Sequence, residues 1–151
     1  MDFTDHLEIQ NLLGRYGHLI DAQDWDAFGA LFTAEATLDY TAVRAPEVLH
    51  GIEEILGYFR TANHPSAHHV TNLVIEEVQG ADPPEVHVHS KFIVPFTRSD
   101  HHPTRWYGGD YHDVVVRTDA GWRFRTKVCT PRWQMTHHED PTSLPGHRTT
   151  F

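Results

Sequence analysis

The sequence predicts an α+β domain in the form of a cone: a strongly curved, mixed or antiparallel sheet whose concave face is closed by three N-terminal helices. Up to about residue 61, apolar side chains recur every three or four positions, which is the period of an amphipathic helix. From residue 67 onward they recur at every second position, which is the period of a strand. Helices followed by a run of strands are typical of α+β layouts. The interior of such a cone is a default place for a ligand site.

The first predicted helix covers residues 4–21, with Thr4 as its expected N-cap. Asp5 and Glu8 lie in its first turns, where the positive end of the helix dipole favours acidic side chains. Its buried stripe consists of Ile9, Leu12, Leu13, Tyr16, Leu19 and Ile20.

Asp24 is the expected N-cap of a second, short helix. A short strand is predicted over residues 36–41, and a third helix over Gly51–Thr61, which the segment 63–66 terminates. The buried face of the short helix is predicted to carry Trp25, Phe28, Leu31 and Phe32, and that of the third helix Ile52, Ile55, Leu56 and Phe59.

The second half of the chain reads as four long strands joined by hairpin turns and one polar connection. The connection, residues 99–104, contains His101 and His102. No internal repeat is visible, so we predict one domain over residues 1–135 and a C-terminal tail over residues 136–151 that is flexible or covers the pocket. The strands are predicted over residues 72–78, 85–96, 106–117 and 122–129, and the hairpin turns over residues 79–84 and 118–121.

Composition narrows the class of protein and its partners. Apolar residues make up 39% and charged residues 22% of the 151 residues, as in folded globular domains. The formal charge of −9 disfavours nucleic acid and anionic membranes as partners. With one cysteine there is no intrachain disulfide, and neither a signal peptide nor an apolar run of ~20 residues is visible. We therefore expect a cytoplasmic protein.

Two distant residues suggest a general base. Asp21 lies at the end of the first helix, and His68, one of 14 histidines, directly precedes a strand. An imidazole with a pKa near 6.5 accepts a proton at neutral pH when a carboxylate holds it in one tautomer. The alternative is a surface acid and a solvated loop histidine. Strand alternation sends His68 and His69 to opposite faces, so one of the two points inward.

Aromatic residues are the candidates for substrate contacts. Tyr16 and Tyr40 could donate hydrogen bonds to a carbonyl oxygen that becomes enolate-like, or could be core aromatics. Arg132 could bind a carboxylate or phenolate, or form a surface ion pair. The other candidate lining residues, which suggest a flat and largely apolar substrate, are Trp25, Phe92, Phe96, Trp106 and Tyr111.

Metal binding is the weaker hypothesis despite the many histidines. His87 and His89 share one strand face and could form half a site, but no third ligand is spaced to join them. The pairs at 101–102 and 137–138 lie in polar segments. No phosphate-binding glycine loop, Gly-x-Ser-x-Gly motif or Cys–His nucleophile is visible. We expect no metal and no cofactor.

Several short motifs, in order, resemble the nuclear-transport-factor-2-like (NTF2-like, cystatin-like) superfamily, in particular its scytalone dehydratase-like and SnoaL-like branch. The resemblance extends roughly from Tyr16 to Trp133. It implies that His68 is the catalytic histidine, that Asp21 supports it, and that Tyr40 is a pocket tyrosine. The motifs are Asp21-x-x-Asp24-Trp25-Asp26, Leu38-Asp39-Tyr40, His68 with Thr71-Asn72, Asp119-Ala120-Gly121-Trp122-Arg123-Phe124 and Arg132-Trp133.

The chain also departs from the scytalone dehydratase pattern. Phe96 stands where that family has a second pocket histidine, and Ile20 where it has a tyrosine. Gly109 and Tyr111 replace an expected serine and asparagine. The resemblance thus implies the same base and acid but a different substrate. Tyr16, five residues before the acid, also resembles the bile-acid dehydratases of the superfamily.

These features predict a cofactor-free dehydratase. His68 would remove a proton next to a carbonyl group, Tyr16 or Tyr40 would polarise that group, and protonated His68 would assist loss of a β-hydroxyl. The expected substrate is small, hydrophobic and cyclic, polyketide-like or steroid-like. Isomerisation, cyclisation and dehydrohalogenation use the same proton abstraction and stay open. So does a non-catalytic binding protein or a subunit like the small subunits of dioxygenases. The resemblance further implies a homodimer or homotrimer.

Overall fold

A computed structural model of the protein describes residues 1–64, 67–96 and 104–137. The histidines at 101 and 102, and the predicted tail from residue 138 onward, lie outside the described residues. In chain order the elements are α1 (Phe3–Ala22), α2 (Trp25–Gly29), β1 (Phe32–Asp39), a 3₁₀ turn (Thr41–Val43), β2 (Leu49–His50), α3 (Gly51–Thr61), β3 (His69–Glu77), β4 (Glu85–Phe96), β5 (Thr104–Thr118) and β6 (Gly121–His137).

The six strands form one mixed sheet in the order β2-β1-β6-β5-β4-β3. All neighbouring strands run antiparallel except β1 and β6, which are parallel. Helix α1 packs against β3 and β6, and α3 packs against β1. The predicted α+β cone with N-terminal helices is therefore confirmed. No helix among the described residues is long and apolar enough to cross a membrane.

Helix α1 begins with a capping box at Asp2, so the prediction of Thr4 as N-cap is wrong. The Asp5 amide donates to Asp2 Oδ1 at 2.9 Å, and the Asp2 amide donates to Asp5 Oδ2 at 3.2 Å. Each carboxylate satisfies an amide that has no partner within the helix, which favours this start over Thr4. The helix ends where Gln23 adopts a left-handed conformation with φ of 55°. Asp24 caps α2 as predicted, accepting from the Ala27 amide at 3.1 Å.

Four strands, β1, β3, β5 and β6, are longer than predicted because pairing with a neighbour extends them. Strand β1 starts at Phe32, which pairs with β6 rather than continuing the short helix. Strand β6 stays paired with β5 up to residue 137, eight residues beyond its predicted end. Strand β3 starts at His69 and contains a bulge at Asn72, whose φ of 53° asparagine tolerates better than most residues.

The two faces of the sheet differ in chemistry. The inner face, which the helices cover, carries the alternate residues of β4 that are buried in the core, among them Val86 and Val88. The residues between them point to the outer face, and these are His87, His89, Lys91 and Ile93. Any side chain that serves the interior must therefore come from the inner face or from the helices.

Candidate active site

Asp21 and His68 meet where the last turn of α1 passes the start of β3. His68 Nδ1 lies 2.6 Å from Asp21 Oδ1, and the backbone amide of His68 donates to Asp21 Oδ2 at 2.9 Å. The His68 side chain is 7% exposed and that of Asp21 23%. His69 is exposed, so His68 is the histidine that points inward. The acid and the histidine that the sequence pairs are thus in hydrogen-bond contact.

This contact defines the proton positions on His68. Because the carboxylate accepts at Nδ1, the neutral ring carries its proton there and leaves Nε2 as an acceptor. Burial lowers the pKa of His68, and the hydrogen bond and charge of Asp21 oppose that effect. The positive charge of Lys127 and the neighbouring His64 add to the lowering. A neutral imidazole held by a carboxylate is a competent general base at neutral pH.

Gly17 gives His68 the space to approach the helix. A Cβ placed on Gly17 would lie 3.0 Å from His68 Cβ and 3.4 Å from its carbonyl oxygen. Gly17 precedes Asp21 by four residues, so both lie on the same helix face. Gly17 is not among the site residues predicted from the sequence, although a glycine within an amphipathic stripe one turn before a candidate acid is itself a signal of close approach.

Three buried tyrosines form a cluster beside the pair of Asp21 and His68, which we call the dyad. The Tyr16 and Tyr40 hydroxyl groups are hydrogen-bonded to each other, and the Tyr16 ring meets the His68 ring edge-on at 6.3 Å. Tyr111 stacks parallel to Tyr40 at 6.4 Å and against Phe92 at 4.5 Å. Burial raises the pKa of all three phenols well above 10, so they are hydrogen-bond donors. The structure thus joins four of the predicted residues, Tyr16, Tyr40, Tyr111 and Phe92, in one aromatic cluster that contacts His68 through Tyr16.

Aromatic side chains of α2 and α3 pack together with His64 on the helix side of the site. The ring of Trp25 lies 5.1 Å from that of His64 and 6.4 Å from that of Phe59. His64 Nε2 is hydrogen-bonded to the carbonyl oxygen of Phe59. Phe96 is half-buried on β4 and meets Tyr107 edge-on at 5.6 Å. Sequence reasoning had treated His64 only as part of the segment that ends the third helix.

An ion pair lies beneath the tyrosines. Lys127 Nζ donates to the two oxygens of Asp113 at 2.9 and 3.1 Å, and the two side chains are 1% and 0% exposed. Burial raises the pKa of Asp113 and lowers that of Lys127. Sequence reasoning missed both residues. Strand alternation in the sequence could have indicated them, because it puts Asp113 on the same sheet face as Tyr111 and Lys127 on the same face as Cys129.

Three predicted lining residues lie elsewhere. Arg132 is 63% exposed and donates to Asp110 Oδ2 at 2.6 Å on the outer face. Its candidate role in substrate binding is therefore wrong, and the alternative, a surface ion pair, is what the structure shows. The reason is a bulge: Pro131 pairs with Gly109 and Trp133 with Gly108, which leaves Arg132 as an extra residue.

Trp106 and His69 are the other two. Trp106 pairs with Pro95 and shares the face of Asp110, away from the dyad. His69 pairs with Ile93 of the outer face and is exposed. Alternation along a strand fixes both orientations, so neither residue reaches the interior.

The outer histidines have partners other than a metal ion. His89 Nε2 lies 2.8 Å from Asp110 Oδ1, and His87 Nε2 lies 3.3 Å from Glu85 Oε1. Lys91 also contacts Asp110, and it contributes most to lowering the pKa of that carboxyl. Within residues 1–64, 67–96 and 104–137, no three His, Cys, Asp or Glu side chains form a group that could hold a metal ion.

A groove of about 480 Å³ runs between α1 and the start of β3 and reaches the dyad from outside. Its lining on α1 includes Gly14, Gly17, His18 and Asp21, and its other side is formed by residues 67–71 at the start of β3. This groove accounts for the partial exposure of the Asp21 carboxylate. It connects the acid of the dyad to solvent, while the His68 ring faces the tyrosines.

The fold and this site define a small α+β cone protein that holds an acid-paired histidine at the junction of helix and sheet. The chain belongs to the family of SnoaL-like domains within the NTF2-like superfamily, and the family model matches residues 1–128. An uncharacterised protein of Mycobacterium tuberculosis (strain ATCC 25618 / H37Rv) is 29% identical over 142 residues, covering 88% of this chain and 89% of that protein.

Solved structures share the fold at low sequence identity. A candidate aromatic ring hydroxylase from Novosphingobium aromaticivorans has a TM-score of 0.77 at 24% identity, covering 90% of this chain and 95% of that one. A candidate scytalone dehydratase from the same species has a TM-score of 0.72 at 19% identity, covering 95% and 96%. A hexachlorocyclohexane dehydrochlorinase, LinA type 2, has a TM-score of 0.74 at 16% identity, covering 95% and 100%. At these identities the likeness establishes the shared fold.

Proposed function

We propose that the protein is a cofactor-free lyase that dehydrates a small apolar carbonyl compound. The observation that carries this proposal is the 2.6 Å contact between His68 Nδ1 and Asp21 Oδ1 in a nearly buried site beside Tyr16. A histidine fixed in this way presents Nε2 as the proton acceptor. A protein that only binds a ligand has no need of such a pairing.

In the proposed reaction, His68 Nε2 takes the proton from the carbon next to the carbonyl group. Negative charge moves to the carbonyl oxygen, which a phenol stabilises as an oxyanion-type donor. In the Tyr16–Tyr40 pair one hydroxyl donates to the other, so the second keeps its proton for the substrate. The enolate then expels the β-hydroxyl, which takes the proton from His68 and leaves as water. The product is an α,β-unsaturated carbonyl compound, and Asp21 stabilises the transient imidazolium.

The aromatic residues support a flat substrate. Trp25, Phe92, Phe96 and Tyr111 together offer ring faces and edges but no further charged group for recognition. A cyclic, polyketide-like or steroid-like ketone would match these side chains, because aromatic residues bury a large apolar area against a flat apolar ring system. We therefore propose a cyclic substrate, with a single ring or several fused rings, that carries a hydroxyl group β to the carbonyl.

The same base supports a second candidate reaction. LinA type 2, one of the structural neighbours, is a hexachlorocyclohexane dehydrochlorinase. If a chloride replaces the hydroxyl as leaving group, His68 removes the proton in the same way and no acid is needed for departure. The two candidates differ in their products: water in one case, chloride and a free proton in the other.

The test is a turnover screen with matched variants. Purified protein is offered fused-ring β-hydroxy ketones and chlorinated cyclohexanes, and products are followed by the absorbance of the new conjugated bond and by chloride release. His68→Ala should abolish turnover of any accepted compound, and Asp21→Asn should reduce it strongly. His69→Ala, in the exposed neighbour, should leave turnover unchanged. Full turnover by His68→Ala would contradict the proposal.

We also propose that copies of the chain associate through the outer face of the sheet. Large exposed apolar side chains concentrate there, and Trp133 lies so close over Gly108 that a Cβ on Gly108 would overlap its ring. Trp133→Glu should then lower the mass measured by sedimentation equilibrium, whereas Leu7→Glu on α1 should not. The exposed residues are Val74, Ile93, Trp133 and Met135.

A further inference from the structure

Burying the Asp113–Lys127 pair costs folding free energy in a small domain. Both side chains are almost completely buried, at 0% and 1% exposure. Burying two opposite charges costs desolvation energy that their attraction recovers only with good geometry, and apolar residues of similar volume are often as stable or more so. Stability alone is therefore a poor explanation for an ion pair at this place in the fold.

The position of the ammonium group suggests what the pair does. Lys127 Nζ lies 3.8 Å from the centroid of the Tyr111 ring and 4.2 Å from that of Tyr16. The Phe124 ring lies at 4.8 Å. The two hydrogen bonds that Lys127 Nζ donates to the Asp113 carboxylate hold the ammonium in place. A fixed positive charge is thus shared between two phenol rings, one of which also meets the His68 ring.

We propose that Lys127, held by Asp113, is a positioning residue: its ammonium is a fixed charge beneath the site that strengthens Tyr16 as a hydrogen-bond donor. The effect of Lys127 on catalysis rests on the proposed function. A cation over the face of a ring is attracted by the ring electrons, and this attraction grows as the phenol oxygen takes up negative charge. The charge therefore favours the state that forms when Tyr16 donates to an enolate, and it disfavours an imidazolium nearby.

Other titratable groups act on the same two side chains. Tyr40 shares a hydrogen bond with Tyr16, and Asp21 favours the imidazolium of His68. An experiment must therefore remove the Asp113–Lys127 pair and leave the other neighbours in place. The groups that face Tyr16 are Tyr40, Tyr111, Asp113, Lys127, Cys129 and His68, and those that face His68 are Asp21, His64, Lys127 and Tyr16.

The experiment removes both charges and keeps the volume. The variants Lys127→Met/Asp113→Leu and Lys127→Gln/Asp113→Asn avoid leaving one charge buried alone, and the second keeps a hydrogen-bonded pair. Wild type and variants are labelled with 3-fluorotyrosine, and the signal of residue 16 is followed by ¹⁹F NMR up to the pH of unfolding. The imidazole of His68 is titrated in parallel by ¹H–¹³C NMR. Folding of each variant is checked by circular dichroism.

We expect the acid dissociation constant of the labelled Tyr16 to fall in the charge-free variants, because they lose the ammonium over its ring. Removal of the Asp113 carboxylate acts in the opposite direction, so the fall measures the net effect of the pair and should stay below the roughly tenfold size of a desolvated cation–π contact. The half-protonation pH of His68 should rise as well. Tyr58, whose ring is not among those in contact with Lys127 Nζ, is the internal control, and Lys91→Met on the outer face is the matched variant. These readings do not depend on turnover, so they stand even if His68→Ala keeps full activity. Titration curves of Tyr16 identical to wild type in the folded variants would overturn the proposal.

Discussion

Gly17 and His68 pack so tightly that a Cβ on Gly17 would lie 3.0 Å from the Cβ of His68, closer than side chains normally approach. The missing side chain on α1 therefore determines how far the histidine enters the site. One turn earlier on the same helix, a Cβ on Gly14 would meet nothing within 4 Å. The two glycines form a matched pair for experiment.

Replacing these glycines by alanine should separate helix stability from site geometry. Gly14→Ala should stabilise the protein by about 0.5–1 kcal/mol, because alanine is the better helix former. Gly17→Ala gains the same propensity but pushes against His68, so its free energy of unfolding should be lower than that of Gly14→Ala. Chemical denaturation measures both values. Equal stabilisation by both, with an unshifted His68 NMR signal, would show that the site accommodates a methyl group at residue 17.

The dyad should account for most of the proton-transfer rate. We expect His68→Ala to lower kcat on an accepted substrate by roughly 10²–10⁴-fold, the usual contribution of a general base. Asp21→Asn should have an effect in the same direction, since an amide can stabilise the wrong tautomer of the ring. Steady-state kinetics with His69→Ala as the control measures these effects. A change in KM alone would indicate that the pair binds rather than reacts.

Acidification should inactivate and destabilise the protein through His68. Its pKa is lowered in the folded state, mainly by burial, so the unfolded chain binds this proton more tightly. The contribution of neutral His68 to folding is therefore fully present above about pH 6.5 and is lost as the pH falls toward the lower folded-state pKa. Thermal melts and kcat/KM profiles should both decline on this acid side. His68→Phe should show a weaker decline in the melting temperature.

The hydrogen bond between Tyr16 and Tyr40 should matter more for turnover than for stability. Tyr16→Phe removes one buried hydroxyl and leaves that of Tyr40 without this partner, at a cost of about 1–3 kcal/mol. Loss of an oxyanion donor should lower kcat by about 10²–10³-fold. Denaturation and kinetics on one preparation separate the two effects. An unchanged kcat for both Tyr16→Phe and Tyr40→Phe would remove the tyrosines from the mechanism.

The buried ion pair should show strong coupling. Lys127→Met alone leaves the Asp113 carboxylate buried without its ammonium partner and should destabilise the fold by about 3–5 kcal/mol. Lys127→Met/Asp113→Leu should recover most of this loss or exceed the wild type. Urea unfolding of the two single variants and the double variant gives the coupling energy. Additive losses would mean that the two charges do not depend on each other.

Much of the fold follows from local periodicity in the sequence. The helix stripe of α1, the Asp24 cap and the full extent of β4 were predictable, because each depends on residues that are close in the chain. The pairing of Asp21 with His68 was predictable only through the order and spacing of motifs shared with a known family. Neither residue specifies its distant partner on its own.

The remaining features depend on contacts that arise only when distant segments meet. The bulge between Gly108 and Gly109 turns Arg132 to the outer face, and no local pattern encodes an extra residue in a strand. The register of β5 against β6 puts Asp113 opposite Lys127, beneath the tyrosines. The sequence by itself determined the helices, the strands and the candidate base. The tertiary structure decided which charges are buried beside that base, because burial depends on register and packing between strands that are far apart in the chain.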